Sequence, residues 1–415
     1  MITKKYKPVI AAMLGNALES YDVVLYGYFA AFLAPLFFPS QNHMASNLFA
    51  MGSFALGFVM RPLGGTIFGI IGDKWGRKSA LILSILLMAI PTFIIGLLPT
   101  YAQIGMIAPL TLVCCLLLQG ACAGGAYSGA AVFINEHSEQ GRAGFAGSML
   151  NTSGFLGGLF VTGLGTLVSR YFLVTWAWRI PFIVGGILGF IIYFLRNMFP
   201  ESPAFLKEKA SGHISKMPLI EVLKSQRGNV LCTIGLGGAA FIPFYTISIY
   251  FNFFLSKTLH FLPSDILELN MITMIWWIVC LPIWGYISDK IGHRNIMLLS
   301  CFVILLIVYP LFSILNEHTS FHECMFIQAI ISIVASAFVA PSSAFLTSLF
   351  PVRSRSSGMS FSYFLGASLF AGTTPLIDTH LVNFTGSYAS PAYYVIFGSI
   401  LGAICVYKAR PVGNV

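Results

Sequence analysis

The sequence predicts an all-α integral membrane protein, with twelve transmembrane helices in two six-helix bundles. Composition, a set of long apolar runs and one repeated loop carry that prediction. Of 415 residues, 57% are hydrophobic and 9% charged, with a mean hydropathy of +0.83; soluble domains carry about 25% charged residues. Glycine (40) and phenylalanine (37) are abundant, as close helix packing in lipid allows.

A helix that crosses the hydrocarbon core needs about 20 mainly apolar residues. Twelve runs reach that length, here numbered spans 1 to 12: 8–38, 46–71, 79–98, 106–135, 143–168, 174–198, 228–256, 266–288, 295–315, 324–349, 356–378 and 390–408. Strands of a membrane barrel would alternate every second residue, and these runs are continuous. The opening MITKKYKPVIAAMLG has the basic-then-apolar order of a signal peptide. Its apolar run is too long, holds two acids and ends at no small-x-small cleavage site, so it reads as a retained span 1.

Lys and Arg orient the chain. With Lys4, Lys5 and Lys7 in the cytoplasm, nineteen of the 23 basic residues fall on cytoplasmic segments, among them Lys74, Arg196, Lys216, Arg353 and Arg410. The exceptions are Arg61, Arg170, Arg179 and Lys257. An even span count and two cytoplasmic termini agree with each other. The net charge of +9 is thus expected to mark loops facing the cytoplasm, with no nucleic-acid partner. The longest polar segment, 200–227, separates two halves, 1–199 and 228–415. All eight histidines fall in loops or at span ends, and the eight cysteines lie scattered, Cys324 at a loop edge and the rest in apolar runs, with no metal or disulfide spacing.

Residues 69–78 read GIIGDKWGRK and residues 285–294 read GYISDKIGHR. An offset of 216 separates Gly69 from Gly285 and Asp73 from Asp289, each decamer following the second span of its half. RAGFAG from Arg142 and RSSGMS from Arg355 match more loosely after the fourth span. In each decamer glycines allow a tight turn and close backbone approach. An Asp can accept from a neighbouring helix N-terminus, where the dipole favours an anion. Gly69, Asp73, Gly76, Arg77, Lys78, Arg142, Gly285, Asp289, Arg294 and Arg355 are therefore expected to form a conformational latch; the plain alternative is that the cations only anchor the loops.

These paired decamers in a six-plus-six chain resemble the loop signature of the major facilitator superfamily. GNALESYDVVLYG, LLLQGACAGGAYSGAA, AWRIPF, PESPAF and FPVRSRSSG resemble its metabolite:proton symporters, which include proline/betaine, α-ketoglutarate, citrate and shikimate carriers. The likeness runs over nearly the whole chain. It implies the major facilitator fold and a central cavity lined by spans 1, 4, 7 and 10. Where that branch usually has Arg in helix 4 this chain has Leu116, and its Gly-Gly-Glu is here Gly124, Gly125 and Ala126. Ser20 stands where Trp is common.

Three charges lie deep in the predicted spans: Glu19, Asp22 and Arg61. Glu19 lies 11 residues past Pro8 and Arg61 lies 11 before Gly72, which at about 1.5 Å per residue puts each near the midplane of a core about 30 Å thick. Intramembrane charges face protein or a water-filled cavity and are functional candidates. One Arg cannot neutralise two acids, so the expectation is that Glu19 pairs with Arg61 while Asp22 takes up and releases a proton. The bland reading is a pair that only locks spans 1 and 2 together. Asn16, Tyr26, Gln119, Tyr127, Tyr245, Asn252 and Gln328 offer polar groups to a cavity, and Trp276 or its neighbour Trp277 could stack on a cationic ligand.

The expected function is secondary active transport of a small polar solute by alternating access. A proline- or betaine-like zwitterion leads, with proton coupling and no cofactor or metal. An organic-acid symporter, an uncoupled facilitator or efflux carrier, and a channel or receptor are the alternatives. No HExxH, nucleotide-binding loop or membrane-embedded Ser/His pair points to an enzyme. The expected setting is the bacterial inner membrane, as a lipid-embedded monomer.

Overall fold

The computed structural model describes residues 7–39, 43–139, 141–171, 176–198, 200–211 and 217–412. Lys4, Lys5 and Lys216 of the predicted basic set lie outside these. Among the described residues there is no strand, and twelve long helical stretches follow one another. Spans 1 to 6 are Lys7–Phe37, His43–Lys74, Arg77–Leu97, Ile107–His137, Ala143–Tyr171 and Arg179–Asn197. Spans 8, 9 and 12 are Pro263–Ile291, His293–Ser313 and Pro391–Lys408. Eight of the twelve spans are long and apolar enough, over described residues, to cross a membrane; spans 1, 2, 5 and 11 are the others.

Spans 7, 10 and 11 are interrupted. Span 7 runs Arg227–Tyr245, passes through a π-helical turn at Thr246–Tyr250, and resumes at Phe251–Lys257. Span 10 is Phe321–Val339 followed by Ser342–Ser348, with Pro341 at the break. Span 11 is Arg355–Gly366, a π turn at Ala367–Ala371, and Thr374–Thr385. It extends seven residues past the predicted end at 378, because Asp378 and His380 depress the hydropathy of a segment that stays helical up to Gly386. Gly386 then stops it in the left-handed conformation at φ 67°. His380 thus lies within a span, on its exposed side, instead of in a loop.

Small residues set the closest crossings. Gly64 of span 2 and Gly120 of span 4 mark the crossing: a Cβ on Gly64 would run into the Ala121 backbone, and one on Gly120 into the Gly57 backbone. Backbones that meet this closely gain dispersion along their length, the driving force that remains when lipid is as apolar as the side chains. Span 1 packs on span 5 in the same way, Gly157 against the Ala17 carbonyl. The two halves meet mainly where span 2 lies along span 11 and span 5 along span 8.

Two side chains sit deeper than the sequence suggests. Arg196, expected as a cytoplasmic anchor, is 4% exposed. It donates to the carbonyls of Ala11 (3.2 Å), Ala12 (3.2 Å) and Leu81 (2.9 Å). Its guanidinium passes the face of Gly15, where a Cβ would collide with it. Cys324, expected at a loop edge, is fully buried because helix 10 starts three residues earlier, at Phe321, behind a Ser320–Glu323 capping box.

Candidate functional site

At the end of the bundle where the decamers lie, the two halves are joined by matched caps. Asp73 accepts from the backbone amides of Ser356 (3.1 Å) and Ser357 (2.8 Å), at the start of span 11. Asp289 accepts from the amides of Gly144 (2.7 Å) and Phe145 (2.9 Å), at the start of span 5. Each carboxylate thus supplies orphan N–H groups of a helix in the other half. Gly76 (φ 113°) and Gly292 (φ 101°), again 216 apart, turn each chain into the following span in a conformation that disfavours side chains. Gly69 and Gly285 allow the approach: a Cβ on Gly285 would meet Ser148 and the Gly144 carbonyl.

The first cap is reinforced by buried ions. Arg77, 1% exposed, contacts Asp73 at 3.1 Å and Glu136 at 3.5 Å and donates to the carbonyls of Gly72 (2.6 Å) and Val352 (2.5 Å). Arg355 reaches the same Glu136 at 3.3 Å and its own loop at the Phe350 carbonyl. Glu136 therefore shares two arginines from opposite halves and accepts from the Ser202 hydroxyl of the central segment. Sequence reasoning missed Glu136. It falls one residue past the predicted end of span 4, and its only signal was an acid beside two basic loops. Lys78 is pinned by Glu201 at its amide and by the Asn197 carbonyl at its Nζ. The second cap is lighter: His293 faces Asp289 at 3.1 Å, Arg294 lies over Tyr407 and donates to its carbonyl, and Arg142 pairs with the neighbouring Glu139 at the surface.

Further in, side chains close the space between halves. Tyr127 stacks on Tyr363 (centroids 5.5 Å apart) and donates to Asn151, whose amide bonds the Val339 carbonyl (2.9 Å). Ser128 bonds Ser360 across the same seam. Access from the decamer end is shut.

The deep charges lie beyond this seal. Asp22, Tyr26, Arg61, Gln119 and Leu116 line one small cleft between spans 1, 2 and 4. Gly124 admits the Arg61 backbone to span 4, since a Cβ there would strike the Arg61 carbonyl. The expected Glu19–Arg61 pair is not formed. Arg61 lies over the Phe58 ring, 3.9 Å from its centroid, and beside the Tyr245 hydroxyl. Its Nε, Glu19 Oε2 and Asp22 Oδ1 have no hydrogen-bond partner. Among the described residues, Arg61 and Arg196 are the cations whose charge acts on Glu19. Spans 2 and 4 meet so closely at their glycines that Arg61 is held against Phe58 and the second half instead of span 1.

Asp22 has a different set of neighbours. Its Oδ2 lies 2.9 Å from Thr92 Oγ1 of span 3. That hydroxyl also faces the Met88 carbonyl at 2.9 Å and receives Gln119 Nε2 at 2.7 Å. A hydroxyl carries one proton. If it goes to Met88, Asp22 must supply a proton of its own to bond Thr92; if it goes to Asp22, the carboxylate can be charged. The triad Asp22–Thr92–Gln119 therefore accommodates both protonation states without moving a heavy atom.

The other predicted polar groups are dispersed. Asn16 ties span 1 to span 5 through the Leu150 carbonyl (2.8 Å) and Ser153 (3.2 Å). Gln328 bonds Thr273 (3.0 Å) and the Ile247 carbonyl (2.8 Å) inside the second half, and Asn252 Oδ1 is buried without a partner. Trp277 is buried and stacked on Phe155 at 4.9 Å, whereas Trp276 is 38% exposed; neither lines the Asp22 cleft. Their rotation about the helix, which composition does not fix, places Trp276 at the outer surface.

The chain matches the Major Facilitator Superfamily over residues 23–316 and 244–414. It is 31% identical to the proline/betaine transporter of Salmonella typhimurium over 432 aligned positions, covering 99% of this chain and 84% of that one. The Klebsiella pneumoniae citrate-proton symporter is 30% identical, with 95% and 90% covered. Among solved structures, the proton:xylose symporter XylE bound to 6-bromo-6-deoxy-D-glucose superposes with a TM-score of 0.78 at 16% identity, covering 97% of this chain and 94% of that one. A double-Trp XylE mutant gives 0.79 at 15% identity, with 99% and 97% covered. Twelve spans, matched caps between halves and full-length similarity agree: the chain belongs to the major facilitator superfamily and is a multi-pass membrane transport protein.

Proposed function

We propose that this protein is a proton-coupled symporter of a small zwitterion of the proline or betaine kind. It works by alternating access between the 1–199 and 228–415 bundles, joined by the 200–227 segment. The observation that carries this reading is that Arg61 and Asp22 share one cleft without pairing. Arg61 is then available to a solute carboxylate, and the Tyr26 ring in the same cleft suits an alkylated ammonium. Asp22, with a bond set that serves it charged or neutral, carries the proton. The relatives named for proline and betaine support the solute class. The citrate-named relative keeps an organic acid as the second reading, though one arginine suits one carboxylate better than three.

The protein acts without a cofactor or enzymatic step, as a monomer in the bacterial inner membrane, with both termini and the decamer end in the cytoplasm. In that orientation the sealed end faces inward. Asp73, Asp289, Arg77, Arg355 and Glu136 form the latch that holds it shut.

Purified protein reconstituted in vesicles tests the reading. An inward pH gradient should drive accumulation of labelled proline or betaine, and counterflow should occur without a gradient. Counterflow without gradient-driven accumulation would leave a facilitator; accumulation of citrate alone would favour the second reading. Labelling of single cysteines at His318 and Ser387 from outside, and at Ser211 only after permeabilisation, all three being exposed positions, tests the orientation.

A further inference from the structure

Sequence reading leaves Asp378 at the edge of span 11, yet it is fully buried. It sits inside the second half, between span 11, span 7 and span 12. Its Oδ2 accepts from Thr246 Oγ1 at 2.9 Å, and its Oδ1 has no partner. The titratable groups that face it are Tyr250 of span 7 and Tyr394 of span 12. On its own helix, His380 points outward and stacks on Phe384 at 6.3 Å. No Lys, Arg or His among the described residues makes an ion pair with it. Its helix neighbours Ile377 and Leu381 pack against the apolar cluster that holds Ile247, Phe251 and Val395.

A carboxylate enclosed this way has one hydrogen bond to offset its lost hydration, and isolated buried charge is costly. Thr246 itself opens the π turn of span 7, whereas Asp378 lies within the helix that follows the π turn of span 11, seven residues past its end at Ala371. Such turns recur at functional positions because they relax the helical ladder locally. One free carboxyl oxygen and one hydroxyl are enough to hold a proton but too few donors for a metal cation, which needs several oxygens.

We propose that Asp378 is a second proton-binding acid of this protein, separate from the Asp22 cleft, and that its proton keeps the outer halves of spans 7 and 11 joined. When the proton leaves, the charge requires water, and the Thr246–Asp378 seam opens to admit it. The site stands on its own geometry; only its part in uptake rests on the proton-coupled reading above.

Infrared difference spectra of the purified protein, recorded across pH in light and heavy water, test it directly. A neutral carboxyl band should be present in the parent, absent in Asp378→Asn and retained in Asp22→Asn. Thr246→Val, which keeps the acid but removes its hydrogen bond, should shift that band. Identical spectra for the parent, Asp378→Asn and Thr246→Val would overturn the proposal, whatever the uptake assays give. Should Asp378→Asn not fold, Thr246→Val decides alone: a shifted band supports the site and an unshifted band refutes it. Loss of gradient-driven uptake in Asp22→Asn tests the transport reading independently of this outcome.

Discussion

Gly69 and Ser357 approach so closely that a Cβ on Gly69 would stand 2.8 Å from the Ser357 Cα. That distance is what lets Asp73, one helical turn further along span 2, reach the Ser356 and Ser357 amides. The proposed latch is thus a property of a backbone crossing as much as of its charges.

Gly69→Val should push span 11 away and uncouple the cap without altering any charge. Asp73→Asn should keep the crossing but weaken both bonds, since an amide oxygen is a poorer acceptor than a carboxylate. Both should favour the state open at the decamer end. Accessibility of a cysteine placed at Ser360 to a membrane-impermeant thiol reagent in inverted vesicles should rise several-fold. Asp289→Asn should do the same at Gly147. Parental accessibility in all three variants would reduce the decamers to charge anchors.

Thr92→Val removes the hydroxyl that joins Asp22 to Gln119 while leaving both in place. Solute exchange should survive, because Arg61 is untouched. Accumulation driven by a pH gradient should fall about tenfold, corresponding to the loss of about 1.4 kcal/mol, the scale of one ordinary hydrogen bond. Asp22→Asn should abolish gradient-driven accumulation altogether. The comparison to make is the ratio of gradient-driven to exchange uptake in each variant; an unchanged ratio in both would remove Asp22 from proton coupling.

Leu116 lines the same cleft as Asp22, at the position where the symporter branch usually has an arginine. Leu116→Arg should place a cation beside Asp22 and hold it charged. Exchange should continue, while the dependence of uptake on external pH should flatten. A pH profile identical to that of the parent would mean that the introduced cation does not reach Asp22.

Arg196 is held by three carbonyls from spans 1 and 3. Arg196→Lys should not rescue it, because a point charge cannot serve three diverging acceptors as a planar fork does. Stability lost should be about 1–3 kcal/mol, read as a lower midpoint in detergent thermal unfolding. Gly15→Val should give a similar loss by displacing the guanidinium. A Lys variant as stable as the parent would show that charge alone matters there.

The spans were legible in the sequence because lipid imposes one requirement on composition and length, and the decamers because a repeated turn needs repeated glycines and acids. What stayed hidden depends on rotation and neighbours. Arg196 ends an apolar run, so it reads as an anchor until span 1 is seen beside it. Asp378 and His380 shorten the apparent span 11, although one faces the core and the other the outside. Glu19 and Arg61 match in depth, but depth does not say that Gly120 and Gly124 draw span 2 onto span 4 and hold Arg61 against Phe58. Trp276 and Trp277 are neighbours in sequence yet differ in burial, because adjacent helical residues lie about 100° apart and only Trp277 falls on the packed face.

The interruptions of spans 7, 10 and 11 have no counterpart among the described helices of the first half. A continuous helix transmits displacement along its length, whereas a π turn or a proline break absorbs it. On the proposed reading, the first half, further braced by Arg196 across three helices, is the stiffer lever and the second half the flexure. Strain from solute or proton arriving at the Asp22 cleft should pass through the first half almost undiminished and be spent as bending in the second, so the two related halves need not contribute equally to the stroke.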